Sequence, residues 1–135
     1  MKMPVFIQPY FFASCGMNCL VCYVHLKNKK NCLGCLGEDT NKPERCLNCE
    51  IKKCVKDKEL SHCYECIEFP CIKIKNLDKS YKKRYRISLI ENSKMVKEKG
   101  IEEFMNIENK KWQCECFGIT SLHDRFCSEC KKKIE

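Results

Sequence analysis

Between Asp78 and Gly100 the apolar residues keep a helical beat. Tyr81, Tyr85, Leu89 and Val96 recur near the helical period, and Ile90 and Met95 widen the stripe. Lys82, Lys83, Arg86, Glu91, Lys94 and Lys97 fill the other face. The pattern predicts one long helix, started by Asp78 or Ser80 and ended by Gly100. A second, shorter helix is expected to follow, with Ile101, Phe104 and Met105 on one side. A stripe of this kind is expected to pack on the rest of the chain rather than to remain an exposed partner-binding face. Elsewhere the patterning is weak, although Ile51 to Lys58 reads as one or two helical turns. Composition divides the chain at the same places. Residues 78–108 contain no cysteine and no proline, residues 1–77 hold eleven cysteines and all four prolines, and residues 109–135 hold the last four cysteines. The expected organisation is a cysteine-rich multi-zinc domain over 1–77, a helical connector packed on it over 78–108, and a zinc ribbon over 109–135.

The cysteines follow a spacing rule. They run C-x3-C-x2-C (Cys15, Cys19, Cys22), C-x2-C (Cys32, Cys35), C-x2-C-x4-C (Cys46, Cys49, Cys54) and C-x2-C-x4-C again (Cys63, Cys66, Cys71). Cys114, Cys116, Cys127 and Cys130 complete the fifteen. C-x2-C lets two thiolates from one tight turn reach one tetrahedral ion, so the pattern points to metal. The two C-x2-C-x4-C units are an internal repeat offset by 17 positions, as expected of a duplicated knuckle with interleaved ligands. Near the C-terminus, Cys114-x-Cys116 and Cys127-x2-Cys130 read as two turns facing each other around one ion. Trp112 is expected to pack over that site. The short C-x-C spacing puts Cys114 in question, with His123 as the reserve ligand or, on the plainer reading, a solvated loop residue.

Eleven N-terminal thiols do not divide by four, and three solutions stand. A histidine can supply a twelfth ligand; two ions can share one bridging sulfur among seven cysteines, leaving four for a single site; or one thiol can be free. His25 is the best twelfth ligand, since Cys19, Cys22 and His25 would share a helix face; His62 is weaker. Proximity in the chain favours Cys19, Cys22, Cys32 and Cys35 as one site and Cys46, Cys49, Cys63 and Cys66 as another. That pairing leaves Cys15, Cys54 and Cys71, with His25, over. Three or four zinc ions per chain are expected.

The formal net charge is +8, with Lys+Arg 26 against Asp+Glu 18. Four zinc ions on fifteen thiolates would bring it to about +1, so much of the basic excess neutralises metal sites. Lys79, Lys82, Lys83, Arg84 and Arg86 form the densest basic run, but their spacing wraps them around a helix. A secretory leader needs roughly 15–30 residues with an unbroken apolar centre, and MKMPVFIQPYFFASCG is interrupted by Pro4, Gln8 and Pro9. No apolar run reaches the roughly 18 residues of a membrane helix. An odd cysteine total fits disulfide pairing poorly, so a reducing, cytoplasmic setting is expected.

No catalytic constellation is present: there is no Ser-His-Asp order, no H-E-x-x-H and no phosphate loop. Cys15-x3-Cys19-x2-Cys22 also matches the cluster motif of radical S-adenosylmethionine enzymes. Their strand-rich partial barrel has no room in 135 residues that hold eight more cysteines over the next fifty positions. An iron–sulfur carrier is the more plausible iron reading, since thiolate sets suit both metals. The ferredoxin C-x2-C-x2-C spacing is absent, so zinc stays ahead.

Cys15-Gly16-x2-Cys19-x2-Cys22, Cys32-x-Gly34-Cys35, Cys46-x2-Cys49-x-Ile51-x2-Cys54 and Cys63-x2-Cys66-x2-Phe69-Pro70-Cys71 together carry a family resemblance. Over residues 12–75 the chain resembles a cysteine-rich prokaryotic zinc-binding family of unknown function. Some members are similar further on, through a segment like Ile87 to Asn92, a Gly100-Ile101 break and a Trp before a zinc ribbon. The resemblance implies metal binding and no particular activity. The fold class expected is a small, metal-stabilised chain, mostly irregular with short helices, one longer α-helix and a C-terminal zinc ribbon. The function expected is a non-enzymatic binding module for protein or nucleic acid. Iron–sulfur or redox and metal-handling roles are the alternatives, and no membrane partner is expected.

Overall fold

The structure is a computed structural model and describes residues 1–27 and 29–134. Among the described residues six α-helices order the chain: α1 (Tyr23–Leu26), α2 (Glu44–Leu47), α3 (Glu50–Asp57), α4 (Ile72–Tyr85), α5 (Leu89–Lys99) and α6 (Ile101–Trp112). Short 3-10 turns occupy Pro9–Phe11, Cys19–Val21 and Cys63–Glu65. Among the described residues no strand forms, only isolated bridges such as Gln113 to Ile119 and Thr120 to Cys127. The chain is therefore small and helical, with irregular cysteine-bearing segments between the short N-terminal helices.

The single long helix expected over the middle is two. α4 starts at Ile72, directly after Pro70 and Cys71, and stops where Arg86 turns left-handed at φ 59° and ψ 36°. α5 restarts two residues later on a capping signal, Ser88-Leu-Ile-Glu91, in which the Glu91 N–H donates to Ser88 Oγ at 3.1 Å. Asp78 does not start a helix. It is buried inside α4, and its carboxylate accepts from Ser88 Oγ (2.8 Å), the Ile90 N–H (3.1 Å) and Lys82 Nζ (3.2 Å), tying α4 to the start of α5. Gly100 (φ 91°) ends α5 as expected, and α6 buries Phe104, Met105, Glu108 and Trp112 along one stripe. Glu102 and Glu103 in the first turn of α6 and Lys110 and Lys111 in its last turn complement the helix dipole.

α5 packs between α4 and α6, and the three helices close over the N-terminal cysteine region. Phe12, Val21, Ile74, Leu89, Phe104, Met105, Trp112, Ile119 and Leu122 are almost wholly buried, in one cluster that runs from Ile7 to Leu122. The apolar core is thus larger than the cysteine-rich composition suggests. The Gly of the Cys15-Gly16 pair is set by this packing: a Cβ at Gly16 (φ 98°) would lie 2.6 Å from both the Leu89 carbonyl oxygen and Ser93 Oγ. Asn92 Nδ2 donates to the Gly16 carbonyl at 3.0 Å, so α5 sits directly on the first cysteine loop. The segment 29–50 is different. Within it only Cys32, Gly34 and Lys42 are buried. No helix is long and apolar enough to cross a membrane, among the described residues.

Candidate metal centres

At the C-terminus two turns face each other. α6 delivers Cys114, whose N–H donates to the Gly118 carbonyl at 2.9 Å while the Phe117 N–H donates to the Cys114 carbonyl at 2.8 Å. Opposite, the Lys131 N–H donates to the Cys127 carbonyl at 3.1 Å. These closures bring the Sγ atoms of Cys114, Cys116, Cys127 and Cys130 within 4.8 Å of one another. Cys114 and Cys130 are 3.6 Å apart, and so are Cys116 and Cys127. A disulfide would need ~2.05 Å, whereas the edge of a tetrahedron of thiolates at ~2.3 Å from an ion is ~3.8 Å. The donor set and its spacing fit a tetrahedrally held metal ion. Gly118 makes the room, because a Cβ there would lie 2.6 Å from Cys127 Sγ. The Cys116 thiol is brought down to about 7, first by the Gly118 N–H and then, against partial burial, by the neighbouring thiols. Against the Lys132 N–H, Cys130 moves the other way, up to about 11, because the crowded thiols compete for one negative charge; the group favours a single thiolate until a cation joins it.

Cys114 therefore belongs to the group despite the C-x-C spacing. His123 does not. It packs between Tyr23 and Tyr85, with ring centroids 4.9 and 4.7 Å away, and burial, helped by Arg45, drives its imidazole down to about 4. It is neither a reserve ligand for this group nor a freely solvated residue. Trp112 is buried at the end of α6, with the Arg125 guanidinium 5.0 Å from its ring centroid.

The eleven N-terminal thiols gather around two cavities. One, of about 250 Å³, is lined by Cys54 from α3, Cys63 and Cys66 from the 3-10 turn and its exit, and Cys71 at the start of α4. Burial, and then Cys71, pushes the Cys63 thiol up to about 12. Cys66 moves the other way, lowered by the Glu68 N–H and by Lys58 Nζ, which lies 3.2 Å from its sulfur. The other cavity, of about 200 Å³, is lined by the remaining seven: Cys15, Cys19 and Cys22 around the first 3-10 turns, Cys32 and Cys35, Cys46 within α2 and Cys49 at the start of α3. His25, Arg45, Tyr81 and His123 complete its wall. The grouping by proximity in sequence fails at Cys46 and Cys49, which face the first loops rather than Cys63 and Cys66. The physical reason is α3, which carries Cys49 at its N-cap and Cys54 on its second turn, and so sends the two ends of one repeat unit to different cavities. Among the described residues, the C-terminal four are the one group of three or more whose ligand atoms all lie within 4.8 Å.

His62 ties the first loop to the second repeat unit. Its Nε2 lies 3.1 Å from the Phe12 carbonyl oxygen, and its N–H donates to Glu65 Oε1 at 2.8 Å. His25 is buried on the wall of the seven-cysteine cavity with Nδ1 2.6 Å from the Cys32 carbonyl oxygen. Sequence reading missed Lys42. Its side chain is wholly buried, and Nζ donates to the carbonyls of Cys35 (3.0 Å) and Gly37 (2.8 Å) and to Asp39 Oδ1 (2.8 Å). Nothing but its place between two C-x2-C pairs marks it in the sequence. Lys75, Lys79, Lys82 and Lys83 line one shallow groove along α4, so part of the basic run is gathered rather than wrapped around the helix.

Fold and site define a small helical, cysteine-rich protein with a four-cysteine group that can hold a metal ion. Residues 11–76 match the model of a family described as "Protein of unknown function (DUF3795)". The match spans all eleven N-terminal cysteines, ends inside α4 and leaves the C-terminal group outside it. No curated protein and no solved structure matches the chain.

Proposed function

We propose that the chain is a multi-zinc protein whose metal sites are structural and whose role is to present a surface to a partner, not to catalyse a reaction. The observation that carries this reading is the C-terminal group, four sulfurs mutually within 4.8 Å and, among the described residues, no further ligand atom in the group. A closed four-thiolate site leaves an ion no open position for substrate, which is the arrangement of structural zinc. The C-terminal turns are then a zinc ribbon, and the resemblance of residues 12–75 to a zinc-binding family extends the reading to the N-terminal cavities. All fifteen cysteines are free thiols, as a reducing compartment would keep them. Elemental analysis of anaerobically purified protein tests the proposal. Three or four zinc ions per chain, on the order of one for every four thiols, is the expected result. One zinc or fewer, or a brown protein rich in iron, sinks it and promotes an iron–sulfur or metal-handling role.

A second reading rests on the groove of Lys75, Lys79, Lys82 and Lys83. It favours a polyanion, such as DNA or RNA, as the partner, held through phosphates rather than bases.

A further inference from the structure

We infer that α4 seats in the major groove of duplex DNA, with one sugar–phosphate backbone on each side of the helix. This rests on the polyanion reading above and names the polyanion. α4 is a ridge between two surface grooves. Toward α5, Lys75, Lys79, Lys82 and Lys83 line the first. Toward α2 and α3, Lys73, Asn76 and Ser80 line the second, with Arg45 and Asn48 on its opposite wall. The α4 residues of the two grooves stand on opposite flanks of the helix, at helical spacing along each. Glu50 is the one acid lining the second groove.

The charge on this ridge is of one sign. Residues 72–86 hold seven cations and one acid. All seven cations are exposed, while the acid, Asp78, is buried and held by Ser88, the Ile90 N–H and Lys82. Among the described residues, Lys82 alone of the seven forms an ion pair. A solvated helix face ordinarily interleaves acids with its lysines, because like charges at i and i+4 work against the helix. Lys75 and Lys79, Lys79 and Lys83, and Lys82 and Arg86 are such like pairs, and a line of phosphates relieves all three. The thiols do not. Lys75, Lys79, Lys82 and Lys83 line neither cysteine cavity, and α4 meets the seven-cysteine cavity through Leu77 and Tyr81 on its inner side.

Shape selects the kind of nucleic acid. A helix about 10–12 Å across fits a B-form major groove about 12 Å wide. The crest of α4, with Asn76, Lys79 and Lys83 exposed, then enters the groove, and the two flanks meet the two backbones. Duplex RNA offers no such seat, since its major groove is deep and narrow. A single strand is held largely by stacking its bases on aromatic side chains, and α4 offers none outward. Tyr81 and Tyr85 are half-buried against each other, with ring centroids 5.3 Å apart, and Tyr85 packs on His123 at 4.7 Å.

Fluorescence anisotropy of the full, zinc-loaded chain in about 0.15 M salt tests the seat. The probes are a short DNA duplex, its single strand, the matching RNA duplex, and vesicles of phosphatidylserine and phosphatidylcholine. The DNA duplex should bind about tenfold more tightly than the other two nucleic acids, with a salt slope near about −5 for about six phosphates. Lys73→Ala and Lys75→Ala, one from each groove, should each lower that slope by about 1. Asn76→Glu, which puts a carboxylate on the crest, should abolish binding with circular dichroism and zinc content unchanged. Bound protein should shield guanine N7, which faces the major groove, from methylation. Tighter binding to single strand or RNA duplex would overturn the seat and leave the polyanion reading intact. So would DNA binding with guanine N7 unprotected, or a slope that Lys75→Ala lowers and Lys73→Ala does not. Binding to the vesicles and to no nucleic acid, or to no probe at all, would remove the nucleic-acid partner altogether.

Discussion

Glu108 lies on the buried stripe of α6, where Asn18 Nδ2 donates to its Oε1 at 3.3 Å. Burial lifts its carboxyl above the ordinary range, against the pull of Lys111 and Asn18. The folded state therefore binds this proton more tightly than the unfolded chain. The associated stability is present below the unfolded value of about 4.3 and is lost as pH rises through the folded value. Glu108→Gln should consequently be more stable than the wild type at neutral pH, with the advantage shrinking toward pH 4. Denaturant titrations of both proteins across that range check the difference, and equal stabilities at every pH would count against it. At the same scale the C-terminal group of Cys114, Cys116, Cys127 and Cys130 was legible from spacing, since turn closure depends on chain length between thiols. Lys42 and Glu108 were not, because a lone charged residue carries no periodicity; only the tertiary packing shows it buried.

Among the elements, the join between α4 and α5 is where pattern and structure part. The apolar stripe from Tyr81 to Val96 keeps its period across the break, so periodicity alone extends one helix through it. The stop lies in side-chain chemistry instead, in the Ser88 cap and in Asp78, whose acceptors hold both. Burial alone would raise the Asp78 carboxyl; the Ile90 N–H, Ser88 and Lys82 outweigh it and hold it below its usual value. This contribution is present above the unfolded value of about 3.9 and fades as pH falls through the folded one. Asp78→Ala should cost about 1–3 kcal/mol at pH 7, and the gap between variant and wild type should narrow in acid. A Gly16→Ala variant probes the next contact. Its methyl would meet the backbone of α5 at 2.6 Å in a left-handed conformation, so a loss of about 1–3 kcal/mol or more is expected from thermal unfolding.

For the molecule as a whole, two regions should answer differently to a chelator. Residues 29–50 bury almost nothing apolar, whereas Phe104, Met105 and Trp112 of α6 share the main core with Phe12 and Leu89. Chelation should open the former to trypsin at Lys29, Lys30 and Lys42 while circular dichroism keeps much of the α5 and α6 signal. A protease-resistant 29–50 segment without metal would be the contrary result. The lysine groove should bind DNA or RNA weakly and without sequence preference, at roughly 10⁻⁴–10⁻⁶ M in physiological salt. Lys79→Ala and Lys83→Ala should each lower the salt slope by about 1. Tight, selective binding would show a true reader of nucleic acid. The overall helical, thiol-gathering architecture was visible in composition and spacing; the division of the thiols between cavities was not, because it depends on which way α3 runs. That helix has an effect on loading. Cys49 and Cys54 are five residues apart on one rod, about 7.5 Å along its axis. An ion captured at either end freezes the rod and presents the other thiol already in place, so ordering entropy is spent on the first event alone. The two cavities, loaded with metal, are therefore expected to fill together, with a titration steeper than independent binding and half-loaded chains scarce at any intermediate zinc level.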